Sequence, residues 1–250
     1  MRYALGKNPA RAGAVGFKFG TFFSAPGLPA PPLVFGRTFL VSDWQMLGND
    51  SVGDCVWADA AHQTMYWRRL AGTQVAFDDS VVLADYSACT GYTPGNPATD
   101  QGTDLQQAAS YRRKIGIADV AGTRHRTDAY VALTVGDLDE ITLATYTLWA
   151  VSLGIQLPTS AYDQFDRGEV WTPVAGSPVE GGHCVPVVGR NSRGEFLIVT
   201  WGRLHAAAAS FISTYMDEGI AHLSLEQMRA DGVSPRGFDE NGLRQALGKL

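Results

Sequence analysis

Two short stretches of the chain bring together residue types that could do covalent chemistry. The first is Leu47-Gly48-Asn49-Asp50-Ser51-Val52-Gly53-Asp54-Cys55-Val56-Trp57-Ala58, in which a loop with two glycines delivers Cys55 to the first turn of a predicted helix. A helix start leaves backbone N–H groups without intrahelical partners and carries the positive end of the helix dipole, and both favour a thiolate. With an imidazolium nearby, such a position can draw a cysteine pKa from about 8.5 into the range of roughly 3.5 to 7.5. The same N–H groups could stabilise an oxyanion. Asp54 is expected to cap the helix, its carboxylate turned toward its own backbone and away from the sulfur. The second stretch is Gly181-Gly182-His183-Cys184-Val185-Pro186-Val187-Val188-Gly189, followed by a turn and then Phe196-Leu197-Ile198-Val199-Thr200-Trp201-Gly202. It reads as a hairpin turning at residues 191–194, with His183 opposite residues 200–202. Two glycines ahead of the histidine let backbone approach closely and leave space beside the ring. Strand alternation sends Cys184 to the other face, as a small core residue. Taken singly, a cysteine at a helix start or a histidine in an apolar hairpin is more often a packing residue; the pair together reverses that reading.

The elements that must position these groups change type along the chain. Residues 54–70 predict a helix, with Ala58, Ala61 and Met65 recurring on one face. A second helix starts at Ser80 as N-cap, runs through Val82, Leu83, Tyr86 and Cys89, and ends near Gly91. Residues 92–102 are a loop, residues 103–115 a third helix closed by Gly116, and Asp137 with Glu140 resembles a capping box opening a fourth. Strand signals follow over residues 148–157, 185–189, 195–201 and 219–223. The run Ala25-Pro26-Gly27-Leu28-Pro29-Ala30-Pro31-Pro32 disfavours helix and reads as a strap. The expected architecture is α+β, one domain in two lobes: an extended arm over 1–43, a mainly helical lobe over 44–146, a β lobe over 147–224 and a C-terminal helical extension over 225–250.

Composition narrows the function classes. The 250 residues carry a net charge of −5, with 45% hydrophobic and 18% charged residues, as expected of a globular chain with a full core. No basic face marks a nucleic-acid partner: Arg68-Arg69 and Arg112-Arg113-Lys114 sit late in predicted helices, where cations complement the dipole. No apolar run is long enough to span a membrane, and residues 1–20 hold no secretory h-region, so a cytoplasmic location with reduced thiols is expected. The five histidines have no zinc spacing and no phosphate loop is present, so neither metal nor cofactor is expected. His62 is read as a core or local-contact residue, Asp78-Asp79 as electrostatic trim before a helix, Asp217-Glu218 as solvated, and Trp201 as a cover over the histidine.

Taken together, Asn49 six residues before Cys55, His183 in its Gly-His-Cys-Val-Pro-Val-Val-Gly strand and Trp201-Gly202 closing the next strand resemble the papain-like cysteine peptidases. Asp100-Gln101-Gly102 and the helix end over residues 111–117 look like that family's intermediate segment, so the likeness spans residues 44–224. The wording GNDSVGDC, GGHCVPVVGR and VTWG is similar to papain-like proteins encoded by phages, prophages and bacteria. The resemblance implies a helical lobe carrying Cys55 as nucleophile, packed on an antiparallel β lobe carrying His183 as base, with Asn49 holding the oxyanion. The family has glutamine at that last position; Asn49 is one methylene shorter, and losing such a donor costs roughly 2.7 to 4 kcal/mol in related chemistry. Gapless counting puts Val199 where the family keeps an asparagine that orients the imidazole. Thr200 takes that role if the hairpin register shifts by one; a ring without a partner costs up to about 10⁴ in analogous triads. The implied function is hydrolysis of peptide or other amide bonds, in proteins or peptidoglycan cross-peptides. The alternative is a structural subunit of a phage virion, decoration or tail-associated, that kept the fold, lost turnover and binds other virion proteins through its N-terminal arm. About 50 residues precede the nucleophile and carry part of the core motif, so a pro-segment like that of secreted zymogens is not expected.

Overall fold

The computed structural model describes residues 3–22 and 30–227; residues 23–29 of the expected arm and 228–250 of the expected C-terminal helical extension lie outside the described residues. Along the chain run α1 (Phe19–Phe22), α2 (Cys55–Leu70), α3 (Asp79–Thr90), α4 (Leu105–Lys114), β1 (Ile117–Ala118), β2 (Arg124–His125), β3 (Ala129–Ala132) and α5 (Leu138–Leu148). They are followed by β4 (Val151–Pro158), α6 (Ser160–Asp166), β5 (Val179–Arg190), β6 (Phe196–Thr200), β7 (Arg203–Ala207), α7 (Ala209–Tyr215) and β8 (Met216–Leu223).

The helix that Cys55 opens organises the rest. Fourteen of its sixteen residues are buried, so α2 needs protein on nearly every side. One side is met by α3 and α4, and another by a six-stranded antiparallel sheet of order β3-β8-β4-β5-β6-β7. On the sheet, Cys184, Val188, Val199 and Ile220 share a core with Val56, Trp57, Ala60 and Ala61 of α2. The opposite face of the sheet, with Leu153, Ile155, Val185, Val187 and Ile198, is covered by Ile141 and Ala144 of α5, Phe165 of α6 and Phe211 and Ile212 of α7. This is an α+β fold with a helical layer on one face and shorter helices on the other. No helix among the described residues is long and apolar enough to cross a membrane.

Local chemistry explains most boundaries and corrects two. Asp78, and not Ser80, caps α3: its carboxylate accepts the Val81 N–H at 3.1 Å while Ser80 donates its hydroxyl to the same oxygen. Gly91 ends that helix in the left-handed conformation. Asp137 caps α5 through the Glu140 N–H, but the Glu140 carboxylate turns to the N–H groups of Gly20 and Thr134, so the reciprocal half of the capping box is missing. β5 is twelve residues long, extending well before Val185, because Gly181 and Gly182 pair with Leu157 and Gln156 of β4. The strands without a sequence signal, β3 and β7, are the short edges of the sheet.

Candidate active site

The loop before Cys55 is held on three sides. Gln45 and Leu47 adopt positive φ, turning the chain sharply ahead of the helix. Gln45 forms an antiparallel bridge to Gly202 beyond β6, and its carbonyl lies 3.1 Å from Nε2 of His62, which is buried further along α2. At the other end the Asp100 carboxylate accepts the Gly53 N–H at 2.9 Å and the Tyr86 hydroxyl at 2.6 Å, and that hydroxyl accepts the Gly102 N–H. Sequence reasoning saw His62 only as a packing or contact residue, and Asp100 as part of a loop resembling the family's intermediate segment; both hold the loop that leads to Cys55.

Cys55 is 1% exposed, and the backbone N–H groups of Cys184 and Gly6 lie close enough to favour its thiolate. Burial, with the Asp54 charge adding to it, pushes the thiol up to about 12. Asp54 does not cap the helix as expected. Its side chain makes no cap hydrogen bond, its carboxylate is buried, and burial raises its pKa well above the usual carboxylate range, with the Asn49 amide opposing the shift. Asn49 is buried too, and its amide donates to the carbonyls of Val52 at 3.1 Å and Ala4 at 3.4 Å.

On the sheet, Nε2 of His183 lies 2.8 Å from Oγ1 of Thr200, and Nδ1 is buried without a hydrogen-bond partner. The Trp201 ring stacks on the imidazole, centroids 4.8 Å apart and planes at 21°. Burial lowers the His183 pKa to about 3, so the ring is neutral. Thr200, and not Val199, stands beside the ring because β5 carries an irregularity between Val187 and Gly189. Gly189 pairs with Leu197, yet Val187 pairs with Ile198. One extra residue in β5 reverses the parity of the pairing beyond it and brings the even-numbered residues of β6 onto the face of His183. Val199 faces α2 instead. Cys184 also faces α2, while its N–H meets the Cys55 sulfur, so the sulfur lies one residue from the histidine. Sulfur and imidazole are not hydrogen-bonded to one another.

Residues 3–8 run through the gap between the two halves of this site. Tyr3 stacks on Trp201 at 4.6 Å. The Thr103 N–H donates to the Gly6 carbonyl at 2.7 Å, the Asn8 N–H to the Thr103 carbonyl at 3.0 Å and the Lys7 N–H to the Gly182 carbonyl at 3.0 Å. A Cβ on Gly6 would lie 1.7 Å from the Gly53 carbonyl oxygen, and one on Gly182 would lie 2.1 Å from that of Lys7, so only glycines admit this path. Asp217 and Glu218, expected as solvated, instead hold Lys7: Nζ lies 2.9 Å from each carboxylate and the lysine side chain is fully buried. Burial by itself would lower the Lys7 pKa; Glu218 and Asp217 outweigh it and hold it above its ordinary value. No group of three or more potential metal ligands occurs among the described residues.

No family model matches the sequence, and no curated protein matches it. The fold does match solved structures. Xylellain, a cysteine protease from Xylella fastidiosa, superposes with a TM-score of 0.65 at 13% identity, covering 90% of this chain and 97% of that one. Procathepsin B from Trypanosoma congolense gives 0.63 at 13% identity, covering 88% and 86%. A cysteine protease from Carica candamarcensis gives 0.57 at 14% identity, covering 77% and 99%. The chain therefore has the papain-like cysteine protease fold.

Proposed function

We propose that the chain is a papain-like thiol hydrolase acting on peptide or other amide bonds. The observation that carries this reading is that Cys55 opens α2 in the same core as Cys184, the residue directly after His183, whose ring is anchored at Nε2 on Thr200 with Nδ1 unpartnered. In the reaction Nδ1 takes the thiol proton and the thiolate attacks the carbonyl carbon, forming a C–S bond. The Cys55 N–H and the Asn49 amide hold the oxyanion; the amide must first leave the Ala4 carbonyl. His183 returns the proton to the leaving nitrogen as the C–N bond breaks, and water then hydrolyses the thioester. The papain-like fold supports a peptide substrate. A peptidoglycan cross-peptide is an equal candidate for that substrate, since the sequence singles out no binding pocket; a phage or prophage origin rests on motif wording.

In the form described, the site is shut: Cys55 and His183 are each 1% exposed, and residues 5–7 pack on Gly53 and Gly182 beside them. That closure also favours a second reading, a binding or structural protein that kept the fold without turnover. The test is the Gly6→Ala chain, in which the added methyl group forces residues 3–8 off the Gly53 carbonyl. The hydrolase reading expects turnover of a peptide mixture and an alkylation midpoint for Cys55 well below 8.5. Cys55→Ala and His183→Ala in that background should abolish turnover. An opened chain that turns nothing over and alkylates with a midpoint near the ordinary thiol value of about 8.5 sinks the first reading and leaves the second.

A further inference from the structure

We propose that Cys184 is a resolving thiol for Cys55: a peroxide links the two in a disulfide, which takes the nucleophile out of use until a thiol reductant reopens it. The proposal rests on the hydrolase reading for its consequence, loss of turnover, and not for the link itself. Both cysteines are free, both are buried, and they share one core, with Cys184 on the face of β5 that packs on α2. The Cys184 N–H lies close enough to favour the Cys55 thiolate. A cysteine sulfur is three bonds from its own amide nitrogen, so a rotamer change is enough to bring the two thiols together. The Cys184 thiol also feels the charge of Asp59, four residues after Cys55 and therefore on the same side of the helix, which sets it along the first turn of α2. His183 and Cys184 are neighbours on one strand and point to opposite faces, so the imidazole and the second thiol do not compete for one place.

The chemistry balances with hydrogen peroxide as the oxidant. His183 takes the Cys55 proton, the thiolate attacks one peroxide oxygen and the O–O bond breaks. The departing hydroxide recovers that proton and leaves as water, and Cys55 is left as a sulfenic acid. The Cys184 sulfur then attacks the sulfenic sulfur; the S–O bond breaks, and the leaving hydroxide takes the Cys184 proton as a second water. Two thiols have lost two electrons, and both peroxide oxygens are reduced. In the shut form burial holds both thiols above their ordinary range, so neither meets peroxide as a thiolate. Displacing residues 5–7, which pack on Gly53 just ahead of the nucleophile, uncovers Cys55 first, whereas Cys184 faces the core. An exposed sulfenic acid without a second thiol in reach goes on to sulfinic and sulfonic acids, which thiol reductants do not reverse. Cys184 diverts it from that path.

The experiment treats the full chain, carrying Cys89→Ser to remove the third thiol, with hydrogen peroxide. Intact mass, disulfide-mapped peptides and Cys55 alkylation are read before and after dithiothreitol. Gly6→Ala and, separately, Lys7→Ala supply the opened site, so one remains informative if the other does not fold. The expected product is a link between Cys55 and Cys184, lighter by two hydrogens and formed faster in the opened chains than in the shut one. Dithiothreitol should then return at least about nine-tenths of the alkylatable Cys55. Chains with Cys184→Ala, or Cys184→Ser as a second form, should instead gain two or three oxygens on Cys55 and recover less than about a tenth. Opened chains that form no link, or that gain oxygens on Cys55 as fast with Cys184 as without it, overturn the proposal. Turnover of a peptide mixture is read in parallel. A link in a chain that turns nothing over removes the hydrolase reading and keeps the resolving thiol; turnover that peroxide destroys irreversibly does the reverse.

Discussion

Two buried charge clusters join parts of this molecule, and they differ in what they join. Under α2, Asp59 accepts the Ser152 hydroxyl at 2.6 Å and the Gln63 amide at both oxygens, with Arg112 reaching Gln63 from α4. Burial raises the Asp59 pKa, with Arg112 opposing it, and lowers that of Arg112 to about 10. All four residues sit on α2, α4 or β4, so the cluster fixes one element against another. In the cleft, Lys7, Asp217 and Glu218 use similar chemistry, but the cation comes from a segment with no helix or strand of its own, held by an isolated bridge to Thr103. The first cluster is therefore expected to be lost only with the fold, and the second to open while the fold stays.

That contrast can be broken by measurement. The largest effect is expected from Asp59→Ala, which strands Arg112 and should cost about 3–5 kcal/mol in chemical denaturation; Lys7→Ala, whose carboxylate partners are each 19% exposed and can regain water, should cost less, about 2 kcal/mol. Equal losses would erase the distinction. Next comes acidification. The folded pKa of His183, about 3, lies below its ordinary 6.5, so between those values the unfolded chain binds a proton that the folded chain does not, and stability falls as pH falls. The unfolding free energy of the wild type relative to His183→Gln should therefore drop by about 1.4 kcal/mol per pH unit in that window. A flat difference would mean that the ring is already reached by solvent. Smaller is the kinetic effect of opening: Gly6→Ala should speed iodoacetamide alkylation of Cys55 by roughly ten- to a hundredfold by raising the open fraction, with the thermal midpoint nearly unchanged. Smallest is Thr200→Val, which leaves Nε2 without its partner and should cost about 1 kcal/mol of stability.

How much of this was legible in the sequence depends on how local each signal is. The start of α2 at Cys55, the Asp137 cap and the turn over residues 191–194 all came from neighbours a few residues apart, and the structure has each of them. The fold class came from the order of helical and strand signals and from the motif wording. The α3 cap was misassigned because Asp78, Asp79 and Ser80 are all good caps in a row and only the dihedral angles choose. The role of Asp217 and Glu218 was invisible: the partner of Asp217 lies 210 residues away, in a stretch with no periodicity. Gly154 inside an apolar run was the available sign that something must pass close to β4. The Thr200 contact hinged on a register shift that the sequence admits but does not announce.

That extra residue in β5 has a wider consequence. The companion of the imidazole is selected by a count along the strand and not by the identity of any neighbour, much as a single added tooth changes which gears mesh. A straight ladder that took Val188 in opposite Ile198 would leave every side chain near the ring chemically intact and yet exchange a hydroxyl for an isopropyl group. The irregularity at Val188, more than any substitution beside the ring, then decides whether this histidine keeps its partner.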